Sequence, residues 1–262
     1  MEKSIFKVTL FILGVMLFTG GACPSNDTTA SNKVAQSEIF QSYSVSESGT
    51  NYVITAFFRI GGKTGTTLAL SPPSKVTFNG KPMVERPNTT SGTFYTIEVP
   101  NSTTAGAFAF TDRDGKTYSN AIDLSRAELV NKNVKIDSSA TVALPLTGAI
   151  LDSANFDLKL NEHMAFVGPS DSSMSDAYYD KSKNAVIIAP SAWKDVPGGI
   201  VKVELTVRNY TAVQQGTALG GDMSFSYLSA PLTVGLVKTA SRSTRQMANS
   251  TSGEGKSTAG RK

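Results

Sequence analysis

Over residues 201–208 the chain alternates without interruption. Val201, Val203, Leu205 and Val207 are apolar; Lys202, Glu204, Thr206 and Arg208 are polar or charged. A helix would scatter these four apolar side chains around its axis, whereas an extended strand puts them all on one face. The run demands a half-buried strand with its charges turned to water. The same period recurs at Tyr52, Ile54, Ala56, Phe58 and Ile60. Further strand patterns lie at 75–79, 93–99, 106–112, 117–124, 141–146, 156–160, 184–189 and 223–228, with almost no helical period between residues 37 and 238.

The turns agree with this reading. Asn79-Gly80 and Asp114-Gly115 each sit between two strand patterns, and these pairs tolerate the positive φ angles of tight hairpins. Pro82 follows the first turn and cannot donate a ladder hydrogen bond, so its strand belongs at a sheet edge. The chain is 40% hydrophobic and 18% charged, the balance of a globular protein that buries a core. Cys23 is the only cysteine, so no intramolecular disulfide can form and packing alone must hold the fold.

The first residues give an address. Lys3 and Lys7 precede an apolar run from Val8 to Phe18, broken by Thr9 and Gly14, and Gly20, Gly21 and Ala22 lead to Cys23. This is the layout of a secretory signal, and the run falls short of the roughly 20 residues of a membrane-spanning helix. Its end resembles a bacterial lipoprotein signal: Gly21, Ala22 and Cys23 match, while Gly20 stands where Leu is usual. The resemblance implies that residues 1–22 are removed and that Cys23 is acylated, anchoring the chain in the cell envelope, in the outer membrane. The alternative is plain cleavage after Ala22, which leaves a lone thiol in an oxidising compartment. Residues 23–36, rich in Ser, Thr and Asn, read as a flexible tether.

The formal net charge of +4 sits at the two ends of the chain. Residues 1–23 carry +1 and residues 239–262 carry +4, from Arg242, Arg245, Lys256, Arg261 and Lys262 against Glu254, so the body is nearly neutral at −1. Such a body lacks the basic surface that nucleic acid requires. The Ser/Thr/Gly-rich tail 239–262 reads as disordered.

An internal echo divides the body. The strand ending at Pro100 leads through a polar link to Gly106 and the strand at Ala107, and the strand ending at Pro190 leads likewise to Gly198-Gly199 and the strand at Ile200. The expected units are 37–130 and 131–238, with one helical turn at Arg126–Leu129 between them. These paired units, with the hairpin Phe108–Ile122, resemble tandem immunoglobulin-like domains of bacterial surface lipoproteins of the Bacteroidota type, over residues 35–238. The resemblance implies an all-β fold of two immunoglobulin-like β-sandwiches and specifies no ligand.

Catalytic chemistry finds little support. Gly62-Lys63-Thr64 ends like a phosphate loop, but Phe57 stands where that loop begins with glycine. Ser191-Ala192-Trp193-Lys194 has the spacing of an acylated serine without the helical domain that presents one. His163 is the only histidine, expected to be exposed in the turn 161–164, so metal or triad chemistry has one candidate ligand and no partners. Asp112-Arg113-Asp114-Gly115 lacks the further carboxylates of a calcium loop. No catalytic residue, metal or cofactor is expected.

The candidate ligand-binding residues are aromatic. Trp193 lies in a polar loop between Pro190 and Pro197, and Tyr178-Tyr179 lies in a Ser/Asp-rich segment read as a hairpin tip. Such rings stack on sugars and dominate protein contacts. For Trp193 the first reading is a lid folded back over the core, since a bulky aromatic gains more from burial, and the open contact ring is the second. The expected function is a non-enzymatic binding or adhesion module for a glycan or protein ligand, contacted through loops 171–183 and 191–197. The alternative is a periplasm-facing component of an envelope assembly.

Overall fold

The computed structural model describes residues 28–130, 134–150, 154–168 and 175–239. Residues 1–27, with Cys23 among them, residues 171–174 of the expected contact loop 171–183, and those beyond Thr239 lie outside the described residues. In chain order the strands are β1 Thr28–Ala30, β2 Ile39–Ser48, β3 Asn51–Ile60, β4 Thr67–Ala69, β5 Lys75–Phe78, β6 Lys81–Pro82, β7 Val84–Asn88, β8 Gly92–Pro100, β9 Ala105–Thr111 and β10 Thr117–Asp123. They continue as β11 Lys135–Asp137, β12 Val142–Pro145, β13 Asn155–Leu160, β14 His163–Ala165, β15 Ala177–Asp180, β16 Ala185–Ile188, β17 Gly199–Ala212, β18 Gly221–Leu228 and β19 Leu232–Val237. The fold is all-β, as the alternation demands, with three short 3-10 turns and no α-helix among the described residues.

One 12-stranded sheet runs through both halves of the chain. Its first half is β1-β4-β3-β2, with β8 and β7 beside β3; its second half is β18-β17-β13-β14, with β19 and β11 beside β17. The halves meet where β2 and β18 pair in parallel, Gln41 opposite Gly221 through Ser46 opposite Ser226. The register shows which side chains share a face. Val207 pairs with Tyr227 and Asn209 with Phe225; Phe225 pairs with Val45 and Met223 with Tyr43. The inward side chains of both halves therefore point the same way.

Two smaller sheets lie on that one face. A 4-stranded sheet, β10-β9-β5-β6, covers the first half, and a 3-stranded sheet, β12-β16-β15, covers the second. Tyr43 of the large sheet stacks on Phe108 with ring centroids 4.3 Å apart, and Phe58 packs on Phe110 at 4.5 Å. Val201, Val203, Leu205 and Val207 are fully buried in one cluster with Leu144, Val186 and Ile188 of the 3-stranded sheet. The result is two facing-sheet sandwiches that share a continuous back layer.

Local chemistry explains the turns. Asn79 and Gly80 have φ of 49° and 76°, and Pro82 lies in β6 at the end of its sheet. In the second hairpin Gly115 has φ of 82°. The buried Asp112 carboxylate accepts from the backbone N–H groups of Asp114 and Lys116, both at 2.9 Å, and from the Tyr118 hydroxyl. Asp112 thus serves its own turn. Edge strand β10 is capped by the loop after β17: Gln215 Oε1 accepts from Ser119 N–H, and Gln214 Nε2 donates to the Ala121 carbonyl. Such capping blunts an edge.

Two expectations about links are corrected. The tether read through residue 36 is structured from Thr28 onward: β1 pairs with β4, and Ser31 and Gln36 are buried. Gln36 Nε2 donates to the carbonyls of Ser31 and Val34, and Ser31 Oγ accepts from Ser71 N–H, so these polar residues are spent on backbone groups. The segment Arg126–Leu129 forms no helical turn, because its side chains are drawn into the joint between the halves. Arg126 Nη1 lies 2.6 Å from Glu47 of β2, and its Nε lies 2.7 Å from Glu128. Arg126 Nη2 donates to the Leu228 carbonyl at the end of β18, and its guanidinium lies 5.3 Å from the Tyr227 ring centre. Glu47 Oε2 also accepts from Leu228 N–H, so one clasp holds β2, β18 and the link.

Candidate functional site

The aromatic residues singled out in the sequence fall in three different environments. Trp193 closes the 3-10 turn Pro190–Trp193 and is fully buried. The turn begins at Pro190, whose fixed φ suits the first helical position, and it rotates the indole inward. The indole is thus the lid folded back over the core, the first of the two readings of the sequence, and it offers no open ring to a ligand. Tyr178 and Tyr179 lie within β15, and the hairpin tip is at 181–184, where Asn184 takes φ of 44°. Tyr179 shares its face with the fully buried Ala177, and its hydroxyl donates to Asn184 Oδ1 at 2.8 Å. Tyr178 lies opposite Ile187 on the outer face of the 3-stranded sheet and stays half-buried. His163 opens β14 and is half-buried, not turned fully to solvent.

At the tip, Asp180 receives the Lys183 ammonium at 2.9 Å and the Ser182 hydroxyl at 2.6 Å. The hydrogen bond from Lys183, then that from Ser182, lowers its carboxyl from the ordinary 3.8 to about 2. The stabilisation is present above pH 4 and is lost as pH falls from about 4 to about 2. A carbon-detected NMR titration of Asp180 is expected to give its midpoint near 2.

A cleft of about 740 Å³ lies at the β14 edge of the large sheet. Met164 and Phe166 line it and are 61% and 63% exposed. Met164 in β14 and Phe166, the first residue past its end, flank the buried Ala165. The backbone beneath Phe166 is pinned. Its N–H donates to Asp176 Oδ2 at 3.0 Å, and its carbonyl accepts from the N–H groups of Asp176 and Ala177. Asp176 Oδ1 accepts from the Ser191 hydroxyl at 2.6 Å, which commits the serine of the Ser-Ala-Trp-Lys run to this tie. On the opposite wall Asp157 is paired with Arg208 at 2.6 Å, beside Asn155. The arrangement joins one open aromatic ring, a flexible thioether and polar groups held in fixed directions, which is contact chemistry.

The motif fragments resolve into structure. Gly61 and Gly62 adopt φ of 79° and 118° in the loop before β4, and Lys63 reaches across the seam to Asp222 at 2.7 Å. No group of three or more metal-ligating side chains occurs among the described residues.

No protein-family model matches the sequence. No curated protein matches it. Solved structures do, weakly. Murine CEACAM1b is 11% identical with a TM-score of 0.28, over 76% of this chain and 100% of that one. The titin I-band fragment I67-I69 is 13% identical with a TM-score of 0.25, over 77% of this chain and 65% of that one. SGBP-B of the Bacteroides ovatus mixed-linkage glucan utilization locus, solved with a mixed-linkage heptasaccharide, is 11% identical with a TM-score of 0.22, over 72% of this chain and 54% of that one. At such scores the backbones do not superpose as wholes, and the fold assignment rests on the strand pairing and layers described above.

Proposed function

We propose that this chain is a non-enzymatic binding or adhesion module of the bacterial cell envelope, lipid-anchored at Cys23 in the outer membrane, that captures a glycan or protein ligand. Residues 37–130 and 131–238 are its two units. The observation that carries the reading is the pair Met164 and Phe166, large, apolar and more than half exposed on a pinned strand end. Set side by side at the mouth of a cleft, an open aromatic ring and a thioether form a surface suited to contact with a partner. The carboxylates beside them, Asp157 and Asp176, are tied to Arg208 and Ser191 and so fix the cleft's walls. Tyr178 adds a contact on the neighbouring small sheet, and Tyr179 and Trp193 support the surface from within.

The test uses the full chain in detergent against labelled cell-surface glycan and protein fractions. Phe166→Ala combined with Met164→Ala is expected to weaken capture by about tenfold or more, the loss of one stacked anchor, with the melting temperature unchanged. Undiminished capture by the double variant would remove the cleft from the proposal. Protease treatment of intact cells reads the orientation: digestion of the second unit fits capture at the surface, and protection fits an assembly role facing the periplasm.

A further inference from the structure

The 4-stranded sheet ends at β10, and a pocket of about 460 Å³ lies between that edge and the large sheet. Its floor is Asn209 near the end of β17 with Met223 and Phe225 of β18, and its wall is β10 from Ala121 to Asp123. It shares no lining residue with the cleft at Met164 and Phe166. The wall is a strand edge with unspent backbone groups. Ser119 N–H and the Ala121 carbonyl point away from β9, since they bond to Gln215 and Gln214 of the loop after β17. An antiparallel strand turns the backbone groups of every second residue to the same side. Ala121 N–H and both backbone groups of Asp123 therefore face the pocket side as well, and no protein group among the described residues pairs with them. The loop after β17 fills one stretch of the edge and stops at Ala121.

These groups choose the occupant. Donors and acceptors spaced along a strand edge match another extended main chain; a sugar or an acyl chain carries no such ladder. Ile122 turns inward beside Met223 and Phe225, so the side chain opposite it on an added strand meets an apolar floor. The Oδ1 of Asn209 is buried there and accepts no hydrogen bond, which leaves an acceptor for a donor brought into the pocket. Charge narrows the choice further. Asp123 is the one ionised group among the lining residues, and it is exposed with no cation paired to it among the described residues. Arg208 and Asp222 adjoin lining residues, but they stand on the outward face of the large sheet and are paired with Asp157 and Lys63. A basic side chain opposite Asp123 is favoured and an acidic one is not.

We propose that this site takes an extended peptide segment of a partner protein, added to the 4-stranded sheet along β10, with an apolar side chain in the pocket and a basic one opposite Asp123. The full chain in detergent is titrated with a fluorescent, end-blocked pentapeptide, Thr-Lys-Leu-Lys-Thr, and with its Thr-Glu-Leu-Glu-Thr counterpart. The lysine peptide is expected to bind, and exchange mass spectrometry is expected to show slower deuterium uptake over residues 117–124 in its presence. Ala121→Pro deletes one edge donor and leaves the ladder to β9 intact, so it is expected to weaken binding by about tenfold or more. Asp123→Lys is expected to reverse the preference between the two peptides by about tenfold, and it alone decides if Ala121→Pro melts early. Phe166→Ala is expected to bind like the parent. No binding of the lysine peptide at about 1 mM overturns the proposal, and so does binding that survives the edge variants or slows exchange elsewhere. Binding that falls in Phe166→Ala instead overturns it and leaves the reading of the cleft intact. Much tighter binding by a chain ending at Thr239 would give the site to the chain's own tail, and a concentration-dependent dimer abolished by Ala121→Pro would give it to a second copy; either result overturns it.

Discussion

Trp193→Ala is expected to lower the free energy of unfolding by about 3–5 kcal/mol, the cost of emptying a large aromatic site in a packed core. The indole is fully buried and belongs to the same apolar cluster as Val201, Val203 and Leu205. Its neighbourhood is tied down from outside, since Lys238 Nζ donates to the carbonyls of Trp193 and Lys194 and leaves little freedom to collapse into the void. Trp193→Phe keeps most of the apolar body and removes a buried Nε1 that has no hydrogen-bond partner, so it is expected to cost clearly less. Urea titrations followed by far-ultraviolet circular dichroism measure both variants. Trp193 is the only tryptophan, so the parent's fluorescence tests the same point directly. Blue emission that iodide does not quench is expected; red, quenchable emission would mean that the ring is open to solvent.

Arg126→Ala is expected to cost about 2–3 kcal/mol, somewhat below the full penalty for breaking a buried ion pair because the partners keep part of their surface in water. Side-chain exposures of 21% for Arg126 and 19% for Glu47 set that discount. The loss comes largely from two carboxylates left without their cation, Glu47 and Glu128. Adding Glu47→Gln to Arg126→Ala is therefore expected to recover part of the stability, a coupling that a double-mutant cycle in urea measures. Additive losses would show that the clasp does not act as a unit.

Much of the fold was legible because alternation is local. The strands around Tyr52–Ile60 and Val201–Arg208 and the Asn79-Gly80 hairpin follow from neighbours in the chain. Strand β2 was not legible. Its inward series is Ile39, Gln41, Tyr43 and Val45, and the glutamine breaks the apolar pattern although it is fully buried, its Oε1 accepting from the Tyr43 hydroxyl at 2.8 Å. Its outward serines are the composition of loops. The shared back layer was hidden for a different reason: pairing between residues as remote as Ser42 and Asp222 leaves no periodic trace. The burial of Trp193 was legible from its bulk, although Ser191, Lys194 and Asp195 around it have the composition of a surface loop; the 3-10 turn points the indole inward. Phe166 was missed because Gly168-Pro169 follows at once, yet Met164 and Phe166 flanking a small Ala165 form a short outward alternation that can be seen in hindsight.

The parallel seam sets an order of assembly. Ser42 donates to Asp222, a partner 180 residues away, so the large sheet gains its middle only when nearly the whole chain is present. A chain emerging N-terminus first must hold β2 as a bare edge, with Ile39, Tyr43 and Val45 on one side of it, until β18 arrives. Non-local closure of this kind makes folding slow, and a waiting edge is where like chains pair wrongly. The bond that makes the two sandwiches one body therefore also makes each newly made molecule dependent on being kept apart from its neighbours until its last strands are in place.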